Sequence, residues 1–475
     1  MGDKAPRDDY QWKNHRNQYH AAVAANIIFL GHGTMNGWLS PALPTLLSEN
    51  TPLITGPLTN EQLSWLGSIS ALAGIIGTFI FGVIITFFGC KRAMLLLSLP
   101  CLTFWFLVYF GDTYYHLLTG RFFQGVTGGG IQSSIVLYIS EIADDNIRGR
   151  LSSVSHITRN IGILVAYILG AFIDYETIPC IFLSIPIIFG VWFSLLPNTP
   201  QYLLQKAQLK KAEDSLKFYK GFTGNSIDEH IAFNAEFDRL KSIANEQKAD
   251  EKTPLKHIFE RDSLKGILNG IALSSLGHLT GFLVFITYAA HIFEQVGASQ
   301  IDPNVSSIAI AVVQLVGTLC TTRFSDTLGR KALLITSLLG TAFGMIIFAL
   351  YSYLKYNGYT LSAFEWVPVA SLSFVIFTAS SGAVPLIFLC TAEGLPSKIR
   401  TVGMTICMVF MNLTSFLILK LFPILMTVIG LHGCMLTLAT ACILGTSYVY
   451  FVVKETSGIS MDSIGSKGGK RAQNN

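Results

Sequence analysis

The stretch Arg323-Phe-Ser-Asp-Thr-Leu-Gly-Arg-Lys331 lies between two apolar runs, and its reading decides the fold. A short turn carrying Asp326, Gly329 and Arg330 is too polar for hydrocarbon, so it marks one face of a membrane. Its Arg and Lys place that face in the cytoplasm. The first half of the chain holds an echo of it, Gly82-Val-Ile-Ile-Thr-Phe-Phe-Gly-Cys-Lys-Arg92. After each turn come two further apolar runs and then a Glu followed seven positions later by an Arg: Glu141 and Arg148, then Glu393 and Arg400. A turn and an interval that both recur signal two parallel structural repeats, a common plan for secondary transporters.

Composition agrees. The 475 residues are 51% hydrophobic and only 13% charged, where soluble domains carry roughly 25% charged residues. Many membrane spans account for the deficit better than one large core does. A net charge of +4 gives no reason to expect a nucleic-acid partner. The eight cysteines sit in or beside apolar runs without metal-ligand spacing, so they read as small buried hydrophobes. No nucleophile–base pair, metal cluster or phosphate-binding loop is present in the sequence, so neither enzymatic activity nor a cofactor is expected.

Residues 1–20 are polar and of mixed charge, which predicts a cytoplasmic arm rather than a signal peptide. Apolar runs follow at about 21–46, 61–87, 92–111, 114–139, 150–173 and 178–196. A second six fall near 264–293, 304–324, 331–354, 366–391, 401–421 and 432–453. Each is near the ~20 residues a helix needs to cross a bilayer. Turns on one side carry Lys91, Arg92, Arg148, Arg150, Arg323, Arg330, Lys331, Lys398 and Arg400; those on the other are mostly acidic, with Lys355 and Lys420 as exceptions. Both termini are therefore expected in the cytoplasm, around bundles at 21–199 and 263–453 and ahead of a tail at 454–475. Asn304-Val-Ser306 is the sequon in an outward loop and predicts a glycan on Asn304, whereas Asn412-Leu-Thr414 falls within a span. Between the bundles, residues 200–262 turn strongly charged. Leu203, Leu204, Leu209, Leu216 and Phe218 recur there at helical spacing, which predicts amphipathic helices on the inner face rather than a flexible linker.

At this point GRFFQG (120–125), YISEIADDNIRGR (138–150), RFSDTLGRK (323–331), AEGLPSKIRTVG (392–403) and the ending KETSGISMDSI (454–464) resemble the sugar porter branch of the major facilitator superfamily. The resemblance runs from about residue 20 to 464 and is nearest to insect facilitated trehalose and glucose transporters. It implies an all-α membrane protein, twelve helices in two six-helix bundles, working by alternating access as a monomer in the plasma membrane. It also implies an inner-face ion-pair lattice, Glu141, Arg148, Arg150, Asp326, Arg330, Glu393 and Arg400 with Lys91 and Arg92 beside it, that gates the cavity. Against the family's pattern, Thr86 replaces an Asp, Cys90 an Arg, and Pro197-Asn-Thr-Pro-Gln201 loses one carboxylate and one guanidinium. The amino-terminal part of the lattice is thinned.

The pocket departs further. Where the family's seventh span carries QQxSGxN-like amides, this chain has Gly277-His-Leu-Thr-Gly-Phe-Leu283. Phe388 stands at the family's tenth-span Trp, Asn412 is kept in the eleventh span, and Gln314 takes the place of a sugar-contacting Asn. Thr280 and His278 complete the seventh-span set. An unpaired buried hydroxyl costs about 1–3 kcal/mol, so the lost amides argue against a copied hexose site. In the fifth span His156, Arg159 and Asn160 stand at i, i+3 and i+4 and share one helical face. His156 matches the family's sugar-binding Gln, which turns that face to the cavity. An Arg inside a span costs roughly 2.5–3.5 kcal/mol and is functional by default, although one near a span end can snorkel. With His32 and His278 the cavity would be electropositive. No Asp or Glu falls in mid-span, and Thr34 stands where proton-coupled relatives have Asp, so uncoupled transport is expected. The sequence thus points to a facilitative solute carrier moving a sugar such as trehalose or glucose across the lipid bilayer. An organic-anion carrier built on Arg159, and a non-transporting sensor that kept the fold, stay open as alternatives.

Overall fold

The computed structural model describes residues 15–224, 226–249, 260–296, 303–324, 329–395 and 399–453. The elements among them are helical. The first set is α1 (Arg16–Leu47), α2 (Asn60–Phe88), α3 (Cys90–Leu96), α4 (Ser98–Tyr109), α5 (Tyr114–Ile142), α6 (Asp145–Phe172) and α7 (Thr177–Ser194). Short helices follow, α8 (Pro200–Gln205), α9 (Leu209–Lys220) and α10 (Ile227–Ala249). The second set is α11 (Arg261–Leu279), α12 (Phe282–Val296), α13 (Pro303–Phe324), α14 (Arg330–Tyr356), α15 (Val367–Thr378), α16 (Val384–Glu393) and α17 (Arg400–Val452). Pairing α3 with α4, α11 with α12 and α15 with α16, and dividing α17 at Gly430, gives twelve membrane passes in two sets of six. This is the all-α architecture expected.

The repeated turn has a matching backbone. Gly89 (φ 81°) precedes Cys90 at the start of α3, and Gly329 (φ 79°) precedes Arg330 at the start of α14. Both use the left-handed region that favours glycine. At Gly89 a Cβ would also lie 2.6 Å from the Tyr202 ring of α8. The four residues 325–328, Asp326 included, lie outside the described set.

Three passes are broken, the third pass of the chain between α3 and α4. The seventh stops at Leu279, where Thr280 Oγ1 donates to Gly277 O at 2.7 Å and Gly281 (φ 73°) turns the chain into α12. The tenth holds a π turn at Ala379–Ala383, just ahead of Pro385, whose missing N–H leaves an α-ladder incomplete. The loop expected between 421 and 432 is absent: α17 runs through it and only Gly430 (φ 70°) leaves the helical region. One positive-φ glycine reverses the chain, where the sequence reading allotted about ten residues.

Glycine sets the closeness of the first six passes. A Cβ on Gly33 (α1) would fall 2.1 Å from Arg159 O, and one on Gly162 (α6) 2.3 Å from Leu30 O. Likewise Gly125 and Gly129 of α5 press on Ser70 O and Gly74 O of α2, each at 2.1 Å for an added Cβ. Small residues at these spacings let helix backbones touch where no hydrophobic effect drives association.

The segment after the sixth pass is pinned to the first set. Lys220 pairs with the Asp144 carboxylate, Asn17 Nδ2 donates to Phe218 O at 2.6 Å, and Tyr219 Oη donates to Pro197 O at 2.8 Å. Leu203, Leu204 and Leu216 are buried as their spacing predicts, while Leu209 is exposed.

Candidate functional site: a cavity between the two halves

Eight stretches among the described residues are both long and apolar enough to cross a membrane; α1 and α5 are not in that set. These two passes are diluted by polar residues and glycine, and they supply much of a central cavity. One wall is His32 and Asn36 of α1, Ser70 and Gly74 of α2, Arg121, Gln124 and Gln132 of α5, and Arg159 of α6. The facing wall is His278 of α11, Phe282, Leu283, Ile286 and Thr287 of α12, and Met411, Asn412, Ser415 and Leu419 of α17. Both guanidiniums stand on the first wall, and most of the second is aliphatic or aromatic.

The first wall is wired together. Arg121, 2% exposed, donates from Nε to Leu66 O at 2.9 Å, from Nη2 to Gly67 O at 3.3 Å, and from Nη1 to Gln124 Oε1. Gln124 Nε2 donates to Asn36 Oδ1 at 2.9 Å, and Asn36 Nδ2 donates to His32 O at 2.9 Å and lies 3.3 Å from the His32 ring nitrogens. Gly128 leaves room for that ring: a Cβ there would sit 2.7 Å from His32 Nε2. Two buried atoms of this wall have no hydrogen-bond partner, Arg159 Nε and Gln132 Oε1. Buried polar groups are normally satisfied, so these are positions a polar ligand can complete.

The residues singled out in the sequence separate in space. Arg159, His278 and Asn412 line the cavity. Asn160 and Gln314 are buried against each other beside it: Gln314 Nε2 donates to Asn160 Oδ1 at 2.9 Å, and Asn160 Nδ2 donates to Thr318 Oγ1 at 2.7 Å. This amide pair joins α6 to α13 across the two halves. Thr280 closes the end of α11, and Phe388 and His156 are exposed outside the cavity wall. Asn36, Gln124 and Gln132 were missed. Their signal was present, amides interrupting apolar passes at positions rich in glycine, as was Arg121 inside the GRFFQG stretch.

The two ends of the cavity differ. At the end where α1 finishes and α2 begins, contacts cross between the halves. Ala290 N donates to Ser40 Oγ at 3.1 Å and Tyr167 Oη to Ile286 O at 2.5 Å. Tyr288, whose Oη donates to Leu419 O at 3.1 Å within the second half, packs against Gly67 of α2 in the first. Lys420 Nζ donates to Ser64 Oγ at 2.9 Å and lies 4.0 Å over the Trp65 ring. At the other end stand the basic turns. There Arg330 pairs with the buried Glu393, Lys91 donates to Ser194 O and Leu196 O at the end of α7, and Arg148 Nη2 reaches Ser140 O at 3.4 Å. Glu141 lines a separate crevice beside Cys90 and Gln201, while Arg92 and Arg150 are exposed. Asp326 lies outside the described residues, as do the side chains of Arg400 and Asn304. The space between these walls is about 120 Å³, below the roughly 300 Å³ at which sites for drug-sized ligands begin. A disaccharide would need the halves to part.

Comparison with known proteins agrees with this geometry. Residues 7–467 match the family model described as "Sugar (and other) transporter". The chain is 30% identical over 457 residues to the facilitated trehalose transporter Tret1 of Bombyx mori, covering 96% of this chain and 88% of that one. It is 28% identical over 444 residues to Tret1 of Polypedilum vanderplanki, covering 94% and 86%. Among solved structures it resembles the inward open conformation of the xylose transporter XylE from E. coli, with a TM-score of 0.76 at 19% identity over 94% of this chain and 99% of that one. For XylE described as a proton:xylose symporter bound to 6-bromo-6-deoxy-D-glucose the TM-score is 0.72 at 18% identity, covering 94% and 98%. A multi-pass helical chain with a central cavity, matched along nearly its whole length, this protein belongs to the sugar transporter family.

Proposed function

We propose that this protein carries trehalose or a hexose such as glucose down its gradient, without ion coupling, by alternating access in the plasma membrane. In this reading both termini and the segment 200–262 are cytoplasmic, and the monomer is the working unit. The basic turns then mark the inner side, Asn304 in the first turn of α13 is a glycan acceptor on the outer side, and the cavity opens inward. The observation that carries the reading is the cavity itself: a polar wall of Asn36, Gln124 and Gln132 with an unpartnered acceptor, and no Asp or Glu among the described lining residues. Sugar hydroxyls need such acceptors and donors. Proton coupling needs a titratable carboxylate or tuned histidine; the described wall has no carboxylate, which leaves His32 and His278 as its titratable groups besides the two arginines. Under the same reading Arg159, His278 and Asn412 contact substrate. Asn160, Gln314, Thr280, Phe388 and His156 act around it, and the inner-face charges gate it when the cavity opens outward.

The test is uptake of labelled trehalose and glucose into proteoliposomes, with counterflow to separate carriage from leak. Saturable uptake that needs no pH gradient is expected. Correctly inserted protein that moves neither sugar would sink the proposal.

A further inference from the structure

The distribution of charge in the cavity asks for something a neutral sugar does not have. Arg121 and Arg159 both line it, and no carboxylate does among the described residues. The two guanidiniums are not equivalent. Arg121 donates to neutral acceptors, two backbone carbonyls, the Gln124 amide and Ser70 Oγ. Arg159 has a buried Nε with no partner, and it sits where α1 and α6 are in backbone contact at Gly33, so its helix cannot shift to find one locally. Ionisable groups within membrane spans pair with one another or mark a substrate path. Guanidinium pairs best with a planar carboxylate or with phosphate.

The rest of the wall limits what else that ligand can be. Gln132 Oε1 is an open acceptor, suited to a hydroxyl donor. Opposite stand Phe282, Leu283, Ile286 and Leu419, an apolar surface on which the C–H face of a sugar ring can rest. Hydroxyls, a ring face and one anionic group together describe an acidic sugar.

We propose that the preferred substrate of this carrier is a sugar bearing one carboxylate, as a hexuronate does, and that Arg159 receives that carboxylate. The inference rests on the sugar-carrier reading and narrows it. One charge-assisted hydrogen bond is worth roughly 10- to 150-fold in affinity, so glucuronate should outcompete glucose by at least about tenfold at this site.

Glucose and glucuronate share a ring and differ at one carbon, which makes them the probes. In proteoliposomes holding the wild-type chain, glucuronate should inhibit labelled glucose uptake at a concentration at least about tenfold below unlabelled glucose. Labelled glucuronate should also respond to voltage, accumulating roughly 50-fold at equilibrium in vesicles held 100 mV positive inside, while glucose does not. Arg159→Lys should keep the preference and Arg159→Gln should abolish it. Glucose uptake without a preference for glucuronate overturns this inference and leaves the carrier reading intact. Glucuronate preference that survives Arg159→Gln also overturns it. If wild-type protein moves neither sugar, both readings fall. Should Arg159→Gln not reach the bilayer, the wild-type competition and voltage measurements decide alone.

Discussion

The two ends of the cavity are held by different kinds of contact. At the end away from the basic turns the halves meet through single hydrogen bonds to backbone or hydroxyl, an aromatic packing of Trp65 with Phe416 at 6.0 Å, and one lysine over a ring. At the other end the charged contacts Arg330–Glu393, Lys91 to the end of α7, and Lys220–Asp144 each stay within one half and its attached helices. Neutral hydrogen bonds exchange for water at little net cost, so a seam made of them can open and close repeatedly. A buried ion pair is costly to break, so these pairs hold the shape of a half. One end is a seam; the other, in this conformation, is structure.

That contrast can be broken most forcefully at Arg330. Glu393 is 4% exposed, and removing its partner with Arg330→Ala leaves a buried charge, a cost of about 3–5 kcal/mol. The melting temperature in detergent should fall sharply, while the side from which a cysteine at Ala71 is labelled should not change. A shifted labelling side would mean that the pair gates after all in this conformation. Next is Gly67→Ala. The added Cβ would lie 1.8 Å from Tyr288 Oη and evict that ring from the seam; overpacking of this kind costs about 1–3 kcal/mol. Labelling of the Ala71 cysteine by an impermeant reagent should then rise from the side away from the basic turns. Unchanged labelling would remove Tyr288 from the seam.

Lys420→Met is expected to act in the same direction with a smaller effect. It removes a cation–π contact of ~0.5–2 kcal/mol, and Lys420→Arg should retain it. If the two variants label alike, the lysine is packing, not holding. The smallest effect belongs to the linker. Burial opposes charge on Glu236, but the hydrogen bonds from Arg239 and the nearby Lys220 outweigh it and hold the carboxyl below its ordinary value. A depressed value means its contribution is present above the unfolded carboxyl range and is lost as pH falls through the folded one. Glu236→Gln should therefore lower the melting temperature slightly at neutral pH and not in acid. An equal decrement at both would assign it to packing.

The fold was legible because its signals are local and repeated. A turn that must leave hydrocarbon recurs in each half, and Gly89 and Gly329 give both copies the same backbone. What escaped were features set by one residue or by assembly. The reversal at Gly430 needs no polar loop, so an apolar stretch concealed it. The face shared by His156, Arg159 and Asn160 was correct as helix geometry. It could not tell which member would meet the cavity, which a partner on α13, and which neither, because that depends on the other half. Asn36, Gln124 and Gln132 are distant in sequence and become one wall only when α1 and α5 are brought together. The passes that looked least like membrane spans were the ones to search.

The glycine contacts of the first half have a mechanical side. Where a Cβ would fall 2.1–2.3 Å from a neighbour's carbonyl, as at Gly33, Gly162, Gly125 and Gly129, there is no side-chain cushion to compress. Backbones in direct contact behave as a stiff plate that passes a displacement from one edge to the other with little absorbed between them. A push on Arg159 inside the cavity is thus delivered to α1 through Gly33 without slack, and the plate tilts where a softer bundle would dent.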